Sequence, residues 1–452
     1  MQTPVKKNQK LTLTVDDLTY EGMGVAKVDN YPLFIAGALP NEKIEAVVVK
    51  TRKNFGYARA LKYLTTSPDR VANDEQQSGI TPLGHLKYEA QLKFKQNQIQ
   101  QLLKKAHLEQ IKVNPTIGMD NPYHYRNKAQ VPVQKINGKL EVGFYRKGSH
   151  HFMPLKNFMI QDKRIDEVLQ AVLKILNKYD LSAYDETTGK GLIRHLMVRR
   201  GFYSHEVMVV IVTNGKSFPH GDKIAMEIMQ TLPDVKSVIQ NVNSKNTNVI
   251  LGKEDIKLAG NSTIQDELNG LKFDISAHSF YQVNPQQTEK LYTEAIKKAG
   301  LTGKETVIDA YCGIGTISLT MAKHAAKVYG VEIVPEAIAD AKQNAQLNNL
   351  TNVDFEVGNA EEWMEKWNQA GITLDVIMVD PPRKGLTLSL IQSATAMKPT
   401  KIVYVSCNPA TLVRDLQQFM DEGYHVTQPI QPVDQFPQTP HVESVTILEK
   451  TN

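Results

Sequence analysis

The chain has 452 residues, of which 41% are hydrophobic and 22% charged, and a formal net charge of +5 at pH 7. That length is too great for one hydrophobic core, so two or three domains are expected. No apolar run approaches the ~20 residues of a membrane-spanning helix. The first ten residues are polar and basic, unlike a signal peptide, and two cysteines are too few for a disulfide framework. We expect a cytoplasmic protein without a membrane partner.

The first 66 residues show strand-like alternation and turn signals. They predict five short strands, at 11–15, 25–28, 32–35, 44–49 and 57–61. So many strands in so short a segment indicate a small closed barrel of the OB type. This segment holds ten Lys and Arg against six Asp and Glu, and Lys50, Arg52, Lys53 and Arg59 would cover one side of it. A small β-domain that is merely basic is the alternative.

The next 200 residues predict an α+β middle domain. Residues 67–84 are polar and turn-rich, and helical spacing follows from Leu86 to residue 105. Beyond them we predict strands at 152–158 and 207–212, a helix at 165–179 and a hairpin turn at Asn137-Gly138.

Basic clusters recur through the first half of the chain. They are Lys104-Lys105, Arg126/Lys128, Arg146-Lys147, Lys163-Arg164 and Arg194/Arg199-Arg200. A solvated surface explains any single pair, but the repetition favours a polyanionic partner.

From residue 285 the pattern alternates between helix and strand. It predicts helices at 285–298, 316–327 and 335–348, and strands at 306–310, 328–333, 353–357, 374–379, 401–405 and 442–448. Such alternation is typical of a doubly wound α/β domain with a largely parallel sheet.

Chemically useful residues follow several of these strands. Asp309 begins a turn that contains Gly313 and Gly315, and Glu332 ends the next strand. Glycines spaced this way, followed by an acidic strand end, fit either S-adenosylmethionine or a dinucleotide.

Asp380 opens a rigid loop with two prolines, and Cys407 follows the strand at 401–405. Because ligands bind at the carboxyl ends of parallel strands, these groups should share one crevice. Cys407 is there a candidate nucleophile, or else a small buried hydrophobe.

The motifs together resemble the RNA uracil-C5 methyltransferase family. The resemblance is carried by Asp-x-x-Cys-Gly-x-Gly at 309–315, Asp-Pro-Pro-Arg-Lys-Gly at 380–385, Ser-Cys-Asn-Pro at 406–409, His-Val-Glu at 441–443 and Ser-Phe-Tyr-Gln-Val-Asn at 279–284. It implies a TRAM barrel at 1–66, an α+β RNA-binding domain at 67–275 and a Rossmann-like class I methyltransferase domain at 276–452.

The resemblance also implies roles for individual residues. Cys407 is the nucleophile and Glu443 the base. The residues that contact S-adenosylmethionine are Gln282, Tyr311, Gly313, Glu332 and Asp380. Those that contact the substrate are Phe280, Arg383 and Asn408. Phe280 or Tyr281 would pack against the target base, although core packing is the ordinary fate of Phe280. Cys407 must react as a thiolate, which a polar loop would favour.

One departure from the family concerns metal. Many members carry an iron–sulfur cluster, with cysteines just before a His-Leu-x-Tyr-Glu segment. Here Ser78-Gly79-Ile80-Thr81 precedes His85, and no cysteine occurs before Cys312. We therefore expect neither a cluster nor any other bound metal.

The expected activity is methylation of uridine C5 in structured RNA by a monomeric enzyme, with 23S ribosomal RNA as the substrate. A transfer RNA is the alternative substrate. A rival of another class is a non-catalytic RNA-binding protein that keeps the cofactor fold, but it would need neither Cys407 nor Glu443. Cytosine-C5 chemistry is disfavoured because the 380–385 loop has no cysteine.

Overall fold

The computed structural model describes residues 3–72, 79–145 and 151–450. Arg146-Lys147 and Ser78, which the sequence analysis singles out, lie outside these residues. The described chain forms sheets of six, seven, two and eight strands in succession. The last sheet carries most of the residues that the motifs identify.

The first sheet is the small β-barrel. Its strands are β1 (Lys10–Thr14), β2 (Asp17–Leu18), β3 (Gly24–Val28), β4 (Tyr31–Ile35), β5 (Lys43–Thr51) and β6 (Gly56–Tyr63), in the order β1-β5-β6-β4-β3-β2. Leu33, Ile35 and Val48 are fully buried inside it, as the alternation predicts. The barrel is confirmed. Strand β2 was not predicted because two residues are too few to show a period.

Helix α1 (Tyr88–Lys105) follows, beginning two residues after the predicted start. Its buried residues are Gln91, Lys95, Ile99 and Leu103, which are spaced four apart and so share one face. Ile99 and Leu103 join a hydrophobic core of the last sheet.

The seven-stranded sheet forms the middle of the chain. Its strands are β7 (Lys128–Ile136), β8 (Lys139–Tyr145), β9 (Phe152–Pro154), β10 (Ile193–Arg200), β11 (Val207–Thr213), β12 (Val235–Val242) and β13 (Glu254–Gly260), in the order β13-β12-β11-β10-β7-β8-β9. Helices α2 (Lys163–Leu176) and α3 (Gly221–Thr231) share a core with the sheet. The hairpin turn at Asn137-Gly138 is confirmed between β7 and β8.

The predicted strand at 152–158 is wrong beyond its first three residues. Pro154 lacks an amide hydrogen and ends β9. Phe158 is buried instead, and its amide donates to the Asp166 carboxylate at 3.0 Å. The predicted helix at 165–179 ends as α2 at Leu176 and continues as a 3₁₀ turn, Asn177–Tyr179.

A hairpin of β14 (Ile264–Leu268) and β15 (Leu271–Ile275) precedes the last sheet. That sheet contains β16 (Thr306–Ala310), β17 (Lys327–Glu332), β18 (Val353–Val357), β19 (Val376–Val379), β20 (Lys401–Ser406), β21 (Tyr424–Val426), β22 (Gln431–Val433) and β23 (Glu443–Lys450). The order is β18-β17-β16-β19-β20-β23-β21, with β22 also paired to β23.

Strands β16 to β20 are mutually parallel, and β23 runs antiparallel beside β20. The helices of this domain are α4 (Pro285–Ala299), α5 (Thr316–Ala322), α6 (Pro335–Leu347), α7 (Ala360–Gln369), α8 (Leu388–Ala396) and α9 (Pro409–Asp421). Separate cores cover the two sheet faces, so the doubly wound class I fold is confirmed. Helix α5 is shorter than predicted because the chain turns after Ala322, where the His324 amide donates to the Met321 carbonyl. None of the helices in the described residues is long and apolar enough to cross a bilayer.

Candidate active site at the carboxyl edge of the last sheet

The turn between β16 and α5 is shaped by residues with positive φ. Tyr311, Gly313 and Gly315 have φ of 74°, 55° and 86°. A Cβ on Gly315 would lie 3.1 Å from the Phe355 ring, so this glycine serves packing, whereas a Cβ on Gly313 would meet nothing within 4 Å. Gly313 therefore leaves open space beside the backbone, which a bound ligand can fill.

Asp309 lies buried beneath this turn. One of its carboxylate oxygens accepts a hydrogen bond from the Ser318 hydroxyl, and the other has no partner among the described residues. The pKa of Asp309 is raised to about 8, by burial first and also by the carboxylates of Asp380 and Glu332. The unpartnered oxygen is fully buried, so it lies beneath the turn and not on the open surface of the crevice.

Glu332 ends β17 at the same edge. Its side chain accepts the Val334 amide at 3.1 Å with one oxygen, and the exposed apolar side chains of Ile333 and Val334 follow directly. A carboxylate for ribose hydroxyls, apolar surface for a base and the open space at Gly313 fit S-adenosylmethionine.

Cys407 and Glu443 lie on neighbouring antiparallel strands. The last residue pair between β20 and β23 is Ser406 with Ser444, so the next positions on the two strands bring Cys407 opposite Glu443. Cys407 is half-buried and Glu443 only 5% exposed. Asp380 follows β19, the other neighbour of β20.

These three acidic groups are electrostatically linked. Burial and the neighbouring Asp380 raise the pKa of Glu443 well above its usual value. The carboxyl group of Asp380 is enclosed, which raises its pKa to about 7. The pKa of Cys407 is raised to about 12, by burial first and then by Glu443 and Asp380, with Arg383 opposing the shift. The expectation that the loop favours a thiolate is therefore wrong for the protein without its substrates.

Asn408 connects the loop that holds Cys407 with the loop that holds Arg383. Its Nδ2 donates to the Arg383 carbonyl at 2.8 Å, and its Oδ1 accepts the Ala410 amide at 3.1 Å, capping α9. The exposed Arg383 guanidinium lies 3.4 Å from Nε2 of His441. Arg414, a conceivable partner for Glu443, instead pairs with Asp415 at 2.6 Å.

The two aromatic residues before α4 have different environments. Phe280 is 69% exposed, whereas Tyr281 is buried, with its hydroxyl 3.2 Å from the Glu267 carbonyl. Tyr281 is thus unsuited to face a target base, and core packing does not account for Phe280. The half-buried Gln282 is held through its carbonyl, which accepts from Asn127 at 3.1 Å.

The sequence indicates neither a site role for Tyr292 nor the buried environment of Lys128, which it marks only as part of a basic cluster. Tyr292 on α4 is buried, and its hydroxyl lies 3.1 Å from that of Thr316. Its pKa is raised by burial first and then by Asp380, Asp309 and Glu443. Lys128 is held at a pKa of about 7 by burial and by Arg199 and Arg126. Neither has a local signal, since the neighbours come from distant parts of the chain.

Several of the basic clusters have partners inside the protein. Arg164 pairs with Asp234 at 2.7 Å, Arg200 with Asp162 at 2.8 Å, and Arg194 and Arg199 donate to backbone carbonyls. These arginines stabilise the fold and are weak support for a polyanionic partner. Lys104, Lys105 and the four basic residues predicted on the barrel are exposed.

The chain matches two family models. Residues 87–451 match the tRNA (Uracil-5-)-methyltransferase model, and residues 4–61 match the TRAM domain. Proteins named "Uncharacterized RNA methyltransferase" from Lactiplantibacillus plantarum and Enterococcus faecalis are 59% and 51% identical, and each match covers 99% of this chain and 98% of the relative.

A solved structure is similar over nearly the whole chain. It is the Pyrococcus abyssi tRNA (uracil-54, C5)-methyltransferase in complex with S-adenosyl-L-homocysteine, with a TM-score of 0.79, 27% identity and coverage of 97% of this chain and 99% of that one. Fold and site therefore define an S-adenosylmethionine-dependent RNA methyltransferase. More narrowly, the chain belongs to the RNA uracil-C5 methyltransferase family and carries an N-terminal TRAM domain.

Proposed function

We propose that this enzyme methylates C5 of uridine in 23S ribosomal RNA, with Cys407 as the nucleophile and Glu443 as the base. The two residue roles are supported by the position of Cys407, directly after β20, beside Glu443, the first residue of the neighbouring strand β23. The choice of a large folded RNA is supported by the six-stranded and seven-stranded sheets that precede the last sheet. S-adenosylmethionine supplies an electrophilic methyl group, and uracil C5 is too weak a nucleophile to take it unaided.

The residues of the chain overcome that weakness by covalent catalysis. The Cys407 thiolate adds to C6 of uracil, which makes C5 enolate-like and able to attack the methyl group. Glu443, as a carboxylate, then removes the C5 proton, and the S–C6 bond breaks to restore the cysteine and the aromatic ring. Both groups must be ionised when they act. A cation entering the crevice lowers the pKa of each of them.

The remaining site residues divide between cofactor and RNA. We propose that Glu332 binds the ribose hydroxyls, that Gly313 gives room for the cofactor, and that Tyr311, Gln282 and Asp380 line its site. The exposed Phe280 would stack on the displaced target base.

Two loop residues complete the proposed RNA contacts. The exposed Arg383 would contact the RNA near Cys407. A contact from the Asn408 side chain would require it to exchange one of its two internal hydrogen bonds, so its main contribution is to hold the Cys407 loop.

The division into units at 1–66, 67–275 and 276–452 is also a proposal. The barrel and the middle sheet then serve a large folded RNA, while α1, inside the second unit, packs on the third. We further propose a monomer acting in the cytoplasm, in keeping with two cysteines that form no disulfide.

A transfer RNA is the second candidate substrate, because the matching family model and the Pyrococcus abyssi enzyme are both named for transfer RNA. Methyl transfer from labelled S-adenosylmethionine to total RNA, followed by separation by size, decides between them. Label in the 23S fraction supports the proposal, and label confined to the transfer RNA fraction refutes it.

A further inference from the structure

Three aromatic rings form a cluster on the outside of the barrel. The ring centroids of Phe34 and Phe55 are 5.4 Å apart, those of Phe34 and Tyr57 5.9 Å, and those of Phe55 and Tyr57 5.7 Å. All three residues are partly exposed. They point away from the barrel interior, because their chain neighbours Leu33 and Ala58 are buried inside it.

A fourth ring extends this cluster. Tyr20, in the turn before β3, is 75% exposed. The pKa of its hydroxyl is raised by Glu21 first and also by nearby Tyr57. We call Tyr20, Phe34, Phe55 and Tyr57 the aromatic platform. Adjacent exposed aromatic rings on a soluble protein mark an interaction surface.

The loop between β5 and β6 holds the platform in place. The Tyr31 hydroxyl donates to the Arg52 carbonyl at 2.8 Å and also bonds the Phe55 carbonyl, while the Arg52 amide donates to Phe55 at 2.8 Å. The exposed side chains of Arg52 and Lys53 are thereby presented beside the Phe55 ring. A platform fixed in this way loses little conformational freedom on binding.

Positive charge surrounds the platform. Lys50 is the β-sheet partner of Tyr57, and Arg59 lies two residues further along β6. Lys27 lies on β3, which pairs with the strand of Phe34, β4. All three basic side chains are exposed. Aromatic faces bordered by exposed cations match the bases and phosphates of a single nucleic-acid strand.

We propose that the aromatic platform stacks unpaired bases of the RNA substrate while the surrounding cations bind its phosphates. The barrel then selects RNA that contains a single-stranded segment, because bases within a duplex have no free face to stack. The inference rests on the proposed function only in taking RNA as the substrate, and its test requires no methyl transfer.

The test measures binding of a single-stranded oligoribonucleotide and of a blunt RNA duplex over a series of salt concentrations. In Phe55→Leu/Tyr57→Leu, single-strand affinity should fall about tenfold at every salt concentration, since stacking releases no counterions. Duplex affinity should be unchanged. The matched charge variant Arg52→Gln/Lys53→Gln should instead flatten the salt dependence, by roughly 1.4 in log–log slope for two lost phosphate contacts. Tyr57→Phe keeps the ring and should bind like the unaltered protein.

A second measurement needs no variant. An oligoribonucleotide containing 2-aminopurine should lose fluorescence on binding the unaltered protein, because stacking on an aromatic ring quenches this base. Unquenched 2-aminopurine in the bound state, or a folded leucine variant with unchanged single-strand affinity, overturns the inference. Quenching by an enzyme that fails to methylate uridine would refute the proposed function and leave this inference intact.

Discussion

At the scale of single residues, the proposed active site holds three neighbouring acidic groups with raised pKa values. Burial raises the pKa of Cys407, Asp380 and Glu443, and the charge of Asp380 raises the pKa of Cys407 and Glu443 as well. These shifts favour a neutral Cys407 thiol in the protein without its substrates, and we expect the sulfonium charge of the cofactor to favour the thiolate. The sequence singles out all three residues, and their roles stay a prediction. Their burial depends on tertiary packing and could not be predicted from the sequence.

The cofactor should lower the pKa of Cys407. S-adenosylmethionine carries a positive sulfonium, whereas S-adenosylhomocysteine lacks the charge and serves as the matched control. The pH midpoint of Cys407 alkylation should lie roughly one to three pH units lower with S-adenosylmethionine bound than with S-adenosylhomocysteine bound. Cys312 is buried and should not interfere. Equal midpoints with both ligands would show that the cofactor charge does not activate the thiol.

Replacement of Glu443 should trap the covalent intermediate. In Glu443→Gln, addition and methyl transfer should proceed, but the C5 proton is not removed and the enzyme stays attached to methylated RNA. A denaturing gel with labelled cofactor should show a slowly migrating labelled band, absent in Glu443→Gln/Cys407→Ala. Normal turnover by Glu443→Gln would remove Glu443 from the mechanism.

The stability of the same variant provides a control. The pKa of Glu443 is higher in the folded state than in the unfolded chain, where it is about 4.3. Above that pH the unfolded chain gains more than the folded state from ionisation of Glu443, so the residue lowers the free energy of unfolding. Glutamine imitates the neutral form. At pH 7 the free energy of unfolding of Glu443→Gln should therefore equal or exceed that of the unaltered enzyme, and lost activity cannot be ascribed to misfolding.

At the scale of elements, α1 anchors the segment that leads to Glu443. Lys95 and Asp434 form a fully buried ion pair, and the Tyr88 hydroxyl donates to Asp434 at 2.8 Å. The side-chain amide of Gln91 donates a hydrogen bond from Nε2 to Oε1 of Gln438 at 2.8 Å. One helix face thus fixes residues 434–438, just before β23. Such a polar face was not predictable, because its partners lie more than 300 residues away in the chain.

Breaking this ion pair should be costly. In Lys95→Met the Asp434 charge remains buried without compensation, and the free energy of unfolding should fall by about 3–5 kcal/mol. In Lys95→Met/Asp434→Asn no buried charge remains, so most of that loss should be recovered. Urea denaturation of the full chain measures both. If Lys95→Met is as stable as the unaltered protein, the pair does not anchor this segment.

Strands and helices were predictable to different degrees for physical reasons. The parallel strands of the last sheet are short apolar runs, and β19 is buried at all four positions, so their sequences stand out. The strand predicted at 152–158 is longer than the observed β9, which ends at Pro154. Phe158 lies beyond it and packs in the core without pairing to a neighbouring strand. The basic clusters misled in part, since the acidic and carbonyl partners of Arg164, Arg194 and Arg199 come from distant segments.

At the scale of the whole molecule, we expect the protein to hold no metal cluster. Two cysteines in the entire sequence cannot hold an iron–sulfur cluster. Purified protein should be colourless and should contain no stoichiometric iron or zinc, as measured by elemental analysis. Stoichiometric iron with visible absorbance would contradict this expectation.

The central claim is that this chain makes 5-methyluridine in 23S ribosomal RNA through Cys407. The most direct test is mass-spectrometric mapping of 5-methyluridine in RNA from a strain that lacks the gene, complemented with the intact gene or with Cys407→Ala. We predict that at least one 5-methyluridine disappears from 23S ribosomal RNA and returns only with the intact gene. Unchanged 5-methyluridine in that RNA, or full restoration by Cys407→Ala, would contradict the account.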